Sequence, residues 1–162
     1  MSENRVIGRN NKILWHIKGD LQRLKEKTKG HVVVLGRKTF ESMVWYYNRS
    51  GNLLPGKLYI VVTHDKEYKP ARENAVASHS INEAIKVAKE KEKNEVFIIG
   101  GQRIFEQTID MADKLYLTVV EGDFEGDAFF PDYSEFIKKV FEKKGEEGKY
   151  KYTFIDLERK PV

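Results

Sequence analysis

Two short runs of branched aliphatic residues each end in glycine and lead directly into a helix-like segment, and this arrangement restricts the fold most. His31–Leu35 is followed by Gly36, and Val96–Ile99 is followed by a pair of glycines. Leu58–Thr63 is a third run of the same kind. Short apolar runs bounded by glycine or proline are typical of buried strands. The sequence therefore predicts strands that alternate with helices, as in an α/β domain with a largely parallel sheet.

Amphipathic segments lie between these runs. Gly19–Lys27 places its two leucines on one face, and Ile81–Lys89 has an apolar face with Ser80 as a candidate N-cap. Arg103–Ala112 is a further helical candidate.

The last third of the chain has a different pattern. Lys114–Glu121, Lys139–Lys144 and Lys149–Glu158 have the composition of long strands, with few helical signals between them. We expect these strands to be antiparallel and to lie at one edge of the sheet. Because no repeat or linker divides the chain, residues 1–162 are expected to form a single domain.

The composition excludes several classes of protein. The 162 residues include no cysteine, which rules out disulfides and thiolate metal sites, and no apolar run approaches the ~20 residues that cross a bilayer. Lys and Arg number 29 against 25 Asp and Glu, mostly in mixed runs that are typical of solvated faces rather than of a nucleic-acid-binding stripe. The first residues lack the layout of a signal peptide. We therefore expect a cytoplasmic protein that binds no nucleic acid, membrane or metal.

The two strand–glycine–helix junctions are candidate phosphate sites. The free N–H groups at a helix start attract a phosphate, and Thr39 after the first junction adds a hydroxyl donor. Either junction alone is more often just a tight turn. Two of them, with Arg37 and Arg103 close behind, favour a pyrophosphate held between helix ends.

A third candidate is the carboxylate of Asp20, which follows Trp15 and Ile17 at the start of the first helical segment. One interpretation is a first-turn acid that interacts with the helix dipole. The other is a carboxylate that lines an apolar cleft and binds an amide-like or cationic heterocycle through paired hydrogen bonds.

The order of these motifs resembles that of bacterial dihydrofolate reductases, from Asn4 to about Arg159. Each motif is modest alone, but six in order are specific. The resemblance implies a mixed, mainly parallel sheet flanked by four helices, with a C-terminal antiparallel hairpin. The motifs are Trp15 with Asp20, Gly36–Ser42, Leu54–Gly56, Ile99–Gly101, Leu115–Thr118, and Glu125–Asp127 with Phe130–Tyr133.

This resemblance implies that NADPH reduces 7,8-dihydrofolate to 5,6,7,8-tetrahydrofolate, by hydride transfer to pterin C6 and protonation at N5. Asp20 would pair with pterin N3 and the 2-amino group, Thr118 would hydrogen-bond to that carboxylate, and Trp15 would hold an ordered water. The substrate-binding residues that it implies are Leu21, Leu24, Met43, Leu54 and Lys57.

NADPH is the cofactor that the resemblance implies, and Arg37 is the expected partner of its 2′-phosphate, because a guanidinium fork suits a phosphate dianion. A cis peptide is expected between Gly100 and Gly101, and the segment that contains Ile7, Gly8 and Ile13 matches a mobile loop over the nicotinamide. The cofactor-binding residues that it implies are Ile7, Gly8, Ile13, Gly36, Arg37, Lys38, Thr39, Thr63, His64, Gly100, Gly101, Gln102, Arg103, Ile104 and Phe105.

The chain departs from the family pattern in three places. It begins past the family's first strand. Either the protein lacks that strand or, as we expect, the start site lies upstream of Met1 or the sequence is trimmed. Without the strand, a monomer would be poorly stable unless the neighbouring strands close up or a partner's segment or upstream residues fill its place. Lys57 stands where the family has an arginine. Residues 44–53 form a longer connection than usual, in which Trp45, Tyr46 and Tyr47 are expected to pack as core or to wall the substrate's benzoyl site.

Two alternative functions remain open at this point. One is the related riboflavin-pathway reductase of a ribosylated pyrimidine, which shares the fold but not the pairing of Trp15 with Asp20. The other is an impaired remnant that binds NADPH or folate without turnover. For the main hypothesis, the expected partner is the small-molecule substrate, and the expected oligomeric state is a monomer.

Overall fold

The computed structural model describes residues 1–161 and contains two compact units. Unit 1 comprises Met1–Asp20 and Thr108–Val162, and unit 2 comprises Leu21–Gln107. The elements in chain order are β1 (Val6–Gly8), α1 (Lys18–Thr28), β2 (Val32–Gly36), α2 (Arg37–Ser50), β3 (Leu58–Val62), β4 (Ala75–Ser78), α3 (Ile81–Lys91), β5 (Phe97–Ile98), α4 (Gln102–Thr108) with a following 3₁₀ turn (Ile109–Met111), β6 (Lys114–Val120), β7 (Ala128–Phe129), β8 (Lys138–Glu147) and β9 (Tyr150–Glu158).

Unit 2 contains a four-stranded parallel sheet in the order β4-β3-β2-β5. Every residue of β2 before its final glycine is buried, as expected for a strand covered on both faces. Helix α3 packs on β2 and β3, and Val32, Ile60 and Ala84 form part of the core between them. The register pairs Val33 with Phe97, so β2 and β5 end beside one another.

Helix α3 begins at its predicted cap, because the Ser80 hydroxyl accepts a hydrogen bond from the N–H of Glu83 at 3.1 Å. Helix α2 is longer than expected. It continues through most of the predicted connection and ends at Gly51, which has the left-handed φ of 72° that terminates many helices. The expectation of a core position for Trp45 is wrong, since its side chain is 61% exposed. The stretch after Phe40 contains no helix breaker before Gly51, so nothing stops the helix earlier.

Unit 1 contains a three-stranded antiparallel sheet in the order β6-β9-β8. Strands β8 and β9 form a hairpin whose register pairs Glu147 with Tyr150, and Gly148 in the turn has a positive φ of 59°. A second, two-stranded antiparallel sheet joins β1 to β7. The backbone of Met1 also lies against β6, where its carbonyl accepts a hydrogen bond from the N–H of Val120 at 2.8 Å.

The predicted fold class is confirmed: the described residues contain four α-helices, a parallel sheet and antiparallel strands near the C-terminus. The single domain over residues 1–162 stays a prediction. Across residues 1–161, no helix has both the length and the apolar character needed to span a membrane.

Candidate functional site

Unit 1 brings together the first two residues predicted to be catalytic. The Thr118 hydroxyl on β6 donates a hydrogen bond to Oδ1 of Asp20, with an oxygen–oxygen distance of 2.6 Å. Asp20 lies in the first turn of α1, where a carboxylate interacts favourably with the helix dipole. Both side chains are half-buried. The amino group of Met1 donates to the Thr118 carbonyl oxygen at 2.8 Å, and burial lowers the pKa of that amino group to about 6, against the opposing effect of Asp20.

Trp15, the third predicted catalytic residue, is buried among apolar side chains of the same unit. It packs with Ile17 and Val120, and its ring meets that of Phe124 edge to face at 5.3 Å. This packing fixes the indole ring a few residues before Asp20. A role in holding a water molecule stays a prediction.

The segment after β1 contains the predicted loop residues. Ile7 is half-buried in β1, and Ile13 is 71% exposed. The Asp127 carboxylate accepts hydrogen bonds from the N–H of Asn10, at 3.0 and 3.2 Å.

Gly126 allows the chain beside that loop to pass very close to β1. A Cβ added at Gly126 would lie 2.3 Å from Cγ1 of Val6 and 2.6 Å from the carbonyl oxygen of Gly8. The glycine of the Glu125-Gly126-Asp127 motif is therefore required by sterics.

Unit 2 places the two strand–glycine–helix junctions side by side. The N–H of Gly36 donates to the Gly100 carbonyl oxygen at 2.7 Å, because β2 and β5 are neighbours in the sheet. The Gly100–Gly101 peptide is cis, as expected. A Cβ at Gly101 would stand 3.7 Å from Oγ1 of Thr39, so the absence of a side chain opens space beside the start of α2. We call Gly36, Gly100 and Gly101 beside the start of α2 the glycine-lined cradle. Helix starts of this kind attract phosphate groups, and a cofactor role for this one stays a prediction.

The remaining junction residues lie on the first turns of α2 and α4. Lys38 and Arg103 are exposed, and Thr39 and Gln102 are half-buried. In α4, Ile104 is buried and contributes to the core, whereas Phe105 is half-buried. A Cβ added at Gly100 would lie only 2.9 Å from the Phe105 ring, so glycine is needed there as well.

Arg37, the first residue of α2, contacts three other side chains. Its Nε donates to Glu41 at 2.9 Å and its Nη1 donates to Asp65 at 3.1 Å. Its guanidinium carbon lies 4.1 Å from the centre of the Tyr68 ring. The hydrogen bond to Glu41, with that to Asp65, raises the pKa of Arg37 above its ordinary value.

Two further predicted cofactor residues precede Asp65 in the chain. The Thr63 hydroxyl accepts a hydrogen bond from the Asp65 N–H at 3.2 Å, and His64 is exposed. Thr63, His64 and Arg37 thus belong to one surface region of unit 2.

The predicted substrate-binding residues are spread over several elements of unit 2. Lys57 is exposed, and its ammonium lies 3.5 Å from a Glu92 oxygen that also contacts Nδ1 of His31 at 3.2 Å. The remaining four are half-buried, and their assembly into one slot stays a prediction: Leu21 and Leu24 on α1, Met43 on α2, and Leu54 beyond it.

Sequence reasoning missed two acidic residues that contact predicted site residues. Asp65 contacts Arg37, and Glu92, whose side chain is only 4% exposed, contacts Lys57. Both pairs join residues that are far apart in the sequence. The one available signal for Asp65 was its position just after the Thr63-His64 pair.

Comparison with known proteins gives one consistent result. A sequence model described as dihydrofolate reductase matches residues 1–159. The chain is 39% identical over 160 residues to the dihydrofolate reductase of Staphylococcus aureus (strain Mu50 / ATCC 700699), covering 96% of this chain and 92% of that protein. It is 36% identical over 163 residues to that of Staphylococcus haemolyticus, covering 98% and 92%.

A solved structure agrees with these sequence matches. The dihydrofolate reductase of Enterococcus faecalis, complexed with NADP(H) and RAB-propyl, superposes with a TM-score of 0.78 at 33% identity, covering 99% of this chain and 93% of that one. A family match over nearly the whole chain and relatives well above 30% identity leave one assignment. The chain belongs to the dihydrofolate reductase family.

Proposed function

We propose that the protein reduces 7,8-dihydrofolate to 5,6,7,8-tetrahydrofolate with NADPH. The observation that carries this proposal is the Asp20–Thr118 pair, a carboxylate fixed by a 2.6 Å hydrogen bond a few residues after the buried Trp15 and Ile17. Membership of the family and the NADP(H) complex of the Enterococcus faecalis relative support the choice of substrate and cofactor.

Asp20 is the group that binds and orients the pterin in this proposal. A carboxylate with two acceptor oxygens can take one hydrogen bond from ring N3 and one from the 2-amino group. The Thr118 hydroxyl, by donating to Oδ1, limits the rotation of that carboxylate. Trp15, held by its packing against Phe124, would position a water molecule near the ring.

The cofactor, when bound, supplies a hydride to pterin C6 and leaves as NADP⁺. The residues proposed to hold its phosphates are those of the glycine-lined cradle, with Thr39 and Arg37 at the start of α2. Because Asp20 would pair with the opposite edge of the ring, it cannot reach N5. The N5 proton is therefore assigned to water that enters the pocket, and the protein contributes through fixed geometry.

Asp20→Asn tests the proposal. We expect turnover of dihydrofolate, followed by NADPH absorbance at neutral pH, to fall at least a hundredfold, because the amide presents an NH₂ donor where an acceptor is needed. NADPH affinity, measured by fluorescence titration, should change little. Asp123→Asn, an exposed acid of the same unit, is the matched control and should retain activity.

Near-normal turnover of Asp20→Asn would contradict the assignment of this residue. The same assay separates the alternatives. Reduction of a ribosylated pyrimidine in place of dihydrofolate would favour the riboflavin-pathway enzyme, and cofactor binding without turnover of either would favour an impaired remnant. Monomeric state and cytoplasmic location also stay proposals, which light scattering and cell fractionation would check.

A further inference from the structure

The guanidinium of Arg37 is bound on two sides by carboxylates of its own chain. Glu41, one turn along α2, accepts from Nε, and Asp65, after β3, accepts from Nη1. The side chains of Arg37 and Asp65 remain 39% and 49% exposed, so a ligand in solvent can approach both. An incoming anion at Arg37 therefore meets at least one negative charge within a few ångströms.

Asp65 is fixed in this position by its own backbone surroundings. Its Oδ1 accepts from the N–H of Glu67 at 2.9 Å, and its N–H donates to the Thr63 hydroxyl at 3.2 Å. The other oxygen, Oδ2, is the one that faces Arg37. The turn thus holds the Asp65 carboxylate in an orientation in which Oδ2 faces the Arg37 guanidinium.

We propose that Asp65 determines cofactor specificity by competing with the 2′-phosphate of NADPH for Arg37, which weakens the preference of this protein for NADPH over NADH. The proposal rests on the proposed function, in which Arg37 binds the 2′-phosphate. A phosphate dianion that reaches Nη1 must displace Asp65 or remain next to it. A 2′-hydroxyl has no such conflict, because it can donate a hydrogen bond to the same carboxylate.

The size of the effect follows from charge and distance. In a largely aqueous environment, repulsion from a carboxylate about 5 Å away lowers the affinity of a phosphate dianion for Arg37 roughly tenfold. Because both groups are exposed, salt should reduce the loss as the Debye length falls from ~10 Å at 0.1 M to ~3 Å at 1 M.

Asp65→Asn is the decisive variant, because the amide oxygen can still accept from the Glu67 N–H and preserve the turn. Calorimetric titration would compare adenosine 2′,5′-bisphosphate with adenosine 5′-monophosphate on the full chain, so no turnover is needed. We expect the variant to bind the bisphosphate about tenfold more tightly, with the monophosphate within twofold of the parent. The ratio of NADPH to NADH in kcat/KM should rise in parallel, and the gain should shrink at 1 M salt.

Glu67→Gln is the matched control, since it removes one negative charge from the same turn and leaves the Asp65 contact with Arg37 in place. Arg37→Gln should abolish the preference for the bisphosphate. Three results would each overturn the proposal. Asp65→Asn could bind the bisphosphate no more tightly than the parent, Glu67→Gln could show an equal gain, or neither the parent nor Asp65→Asn could bind the bisphosphate. Failure of the proposed function has a different signature, namely normal ligand binding without dihydrofolate turnover.

Discussion

The hydrogen bond between Thr118 and Asp20 joins residues 98 positions apart in the sequence, one on β6 and one in the first turn of α1. This hydrogen bond occupies one lone pair of the Asp20 Oδ1 atom, and it does not involve Oδ2. The orientation of the carboxylate therefore depends on a strand that is remote in the chain.

We expect Thr118→Val to lower kcat/KM for dihydrofolate by about tenfold or more, because hydrogen bonds to charged groups contribute roughly 1.5–3 kcal/mol. Steady-state kinetics would measure it. Thr118→Ser, which keeps the hydroxyl, should retain most of the activity, and the contact of Met1 with the Thr118 carbonyl is unaffected by either change. Equal losses in both variants would mean that packing of the methyl group, and not the hydrogen bond, matters.

The sequence pointed to Asp20, Arg37 and the glycine pair because each belongs to a short, local pattern with a physical meaning. It could not predict what Arg37 contacts, because the position of Asp65 depends on how β3 ends and how the next turn folds. The same holds for Glu92 and Lys57. Short sequence patterns therefore suggest candidate residues at this scale, whereas the long-range partners of those residues require the fold.

At the scale of single elements, α3 has the clearest start signal in the chain. Ser80 accepts from the Glu83 N–H, and the Glu83 carboxylate accepts from the N–H of His79 at 3.3 Å. These two hydrogen bonds pair backbone N–H groups on both sides of the helix start. The helix then places Ala84 and Ala88 in the core.

Ser80→Ala should lower the free energy of unfolding by about 1 kcal/mol, because the helix loses its N-cap acceptor. Urea denaturation would measure the change. Ser80→Asp supplies another acceptor at the same place and should stay close to the parent. A loss in Ser80→Asp as large as in Ser80→Ala would show that the cap does not account for the effect.

Elements with a strong local signal agree with prediction, and those without one do not. Leu58–Thr63 closely matches β3, since a run of apolar residues forms a central strand. Strand β4, by contrast, was not predicted, because Ala75–Ser78 is short and has only one bulky apolar residue. Its pairing with β3 in the folded sheet, and not its own composition, makes it a strand.

At the scale of the whole molecule, Glu92 connects stability to pH. The Asn94 N–H, with His31 and Lys57, lowers the pKa of Glu92 to about 2 from its ordinary value of 4.5. A carboxyl with a depressed pKa stabilises the folded state fully above the unfolded pKa, and this stabilisation is lost as the pH falls toward the folded pKa.

Glu92→Gln should therefore be less stable than the parent at neutral pH, and the difference should shrink between about pH 4.5 and pH 2. Denaturant unfolding over a pH series would follow it. Glu90→Gln, an exposed neighbour on α3, should show no such trend. A difference that stays constant down to pH 2 would contradict the role of the charge.

Unit 1 is built from the two ends of the sequence, Met1–Asp20 and Thr108–Val162, whereas unit 2 is one continuous stretch between them. A ribosome completes all of unit 2 before most of unit 1 exists. At ~5–20 residues per second, synthesis of residues 108 to 158 takes about 3 to 10 s more. Thr118 is made early in that interval, but β9, the strand that pairs with β6 in the sheet, is complete only at Glu158. The hydrogen bond between Asp20 and Thr118 therefore lies beside a sheet that is completed late in synthesis, and a chain truncated before β9 would contain both strand–glycine–helix junctions without that sheet.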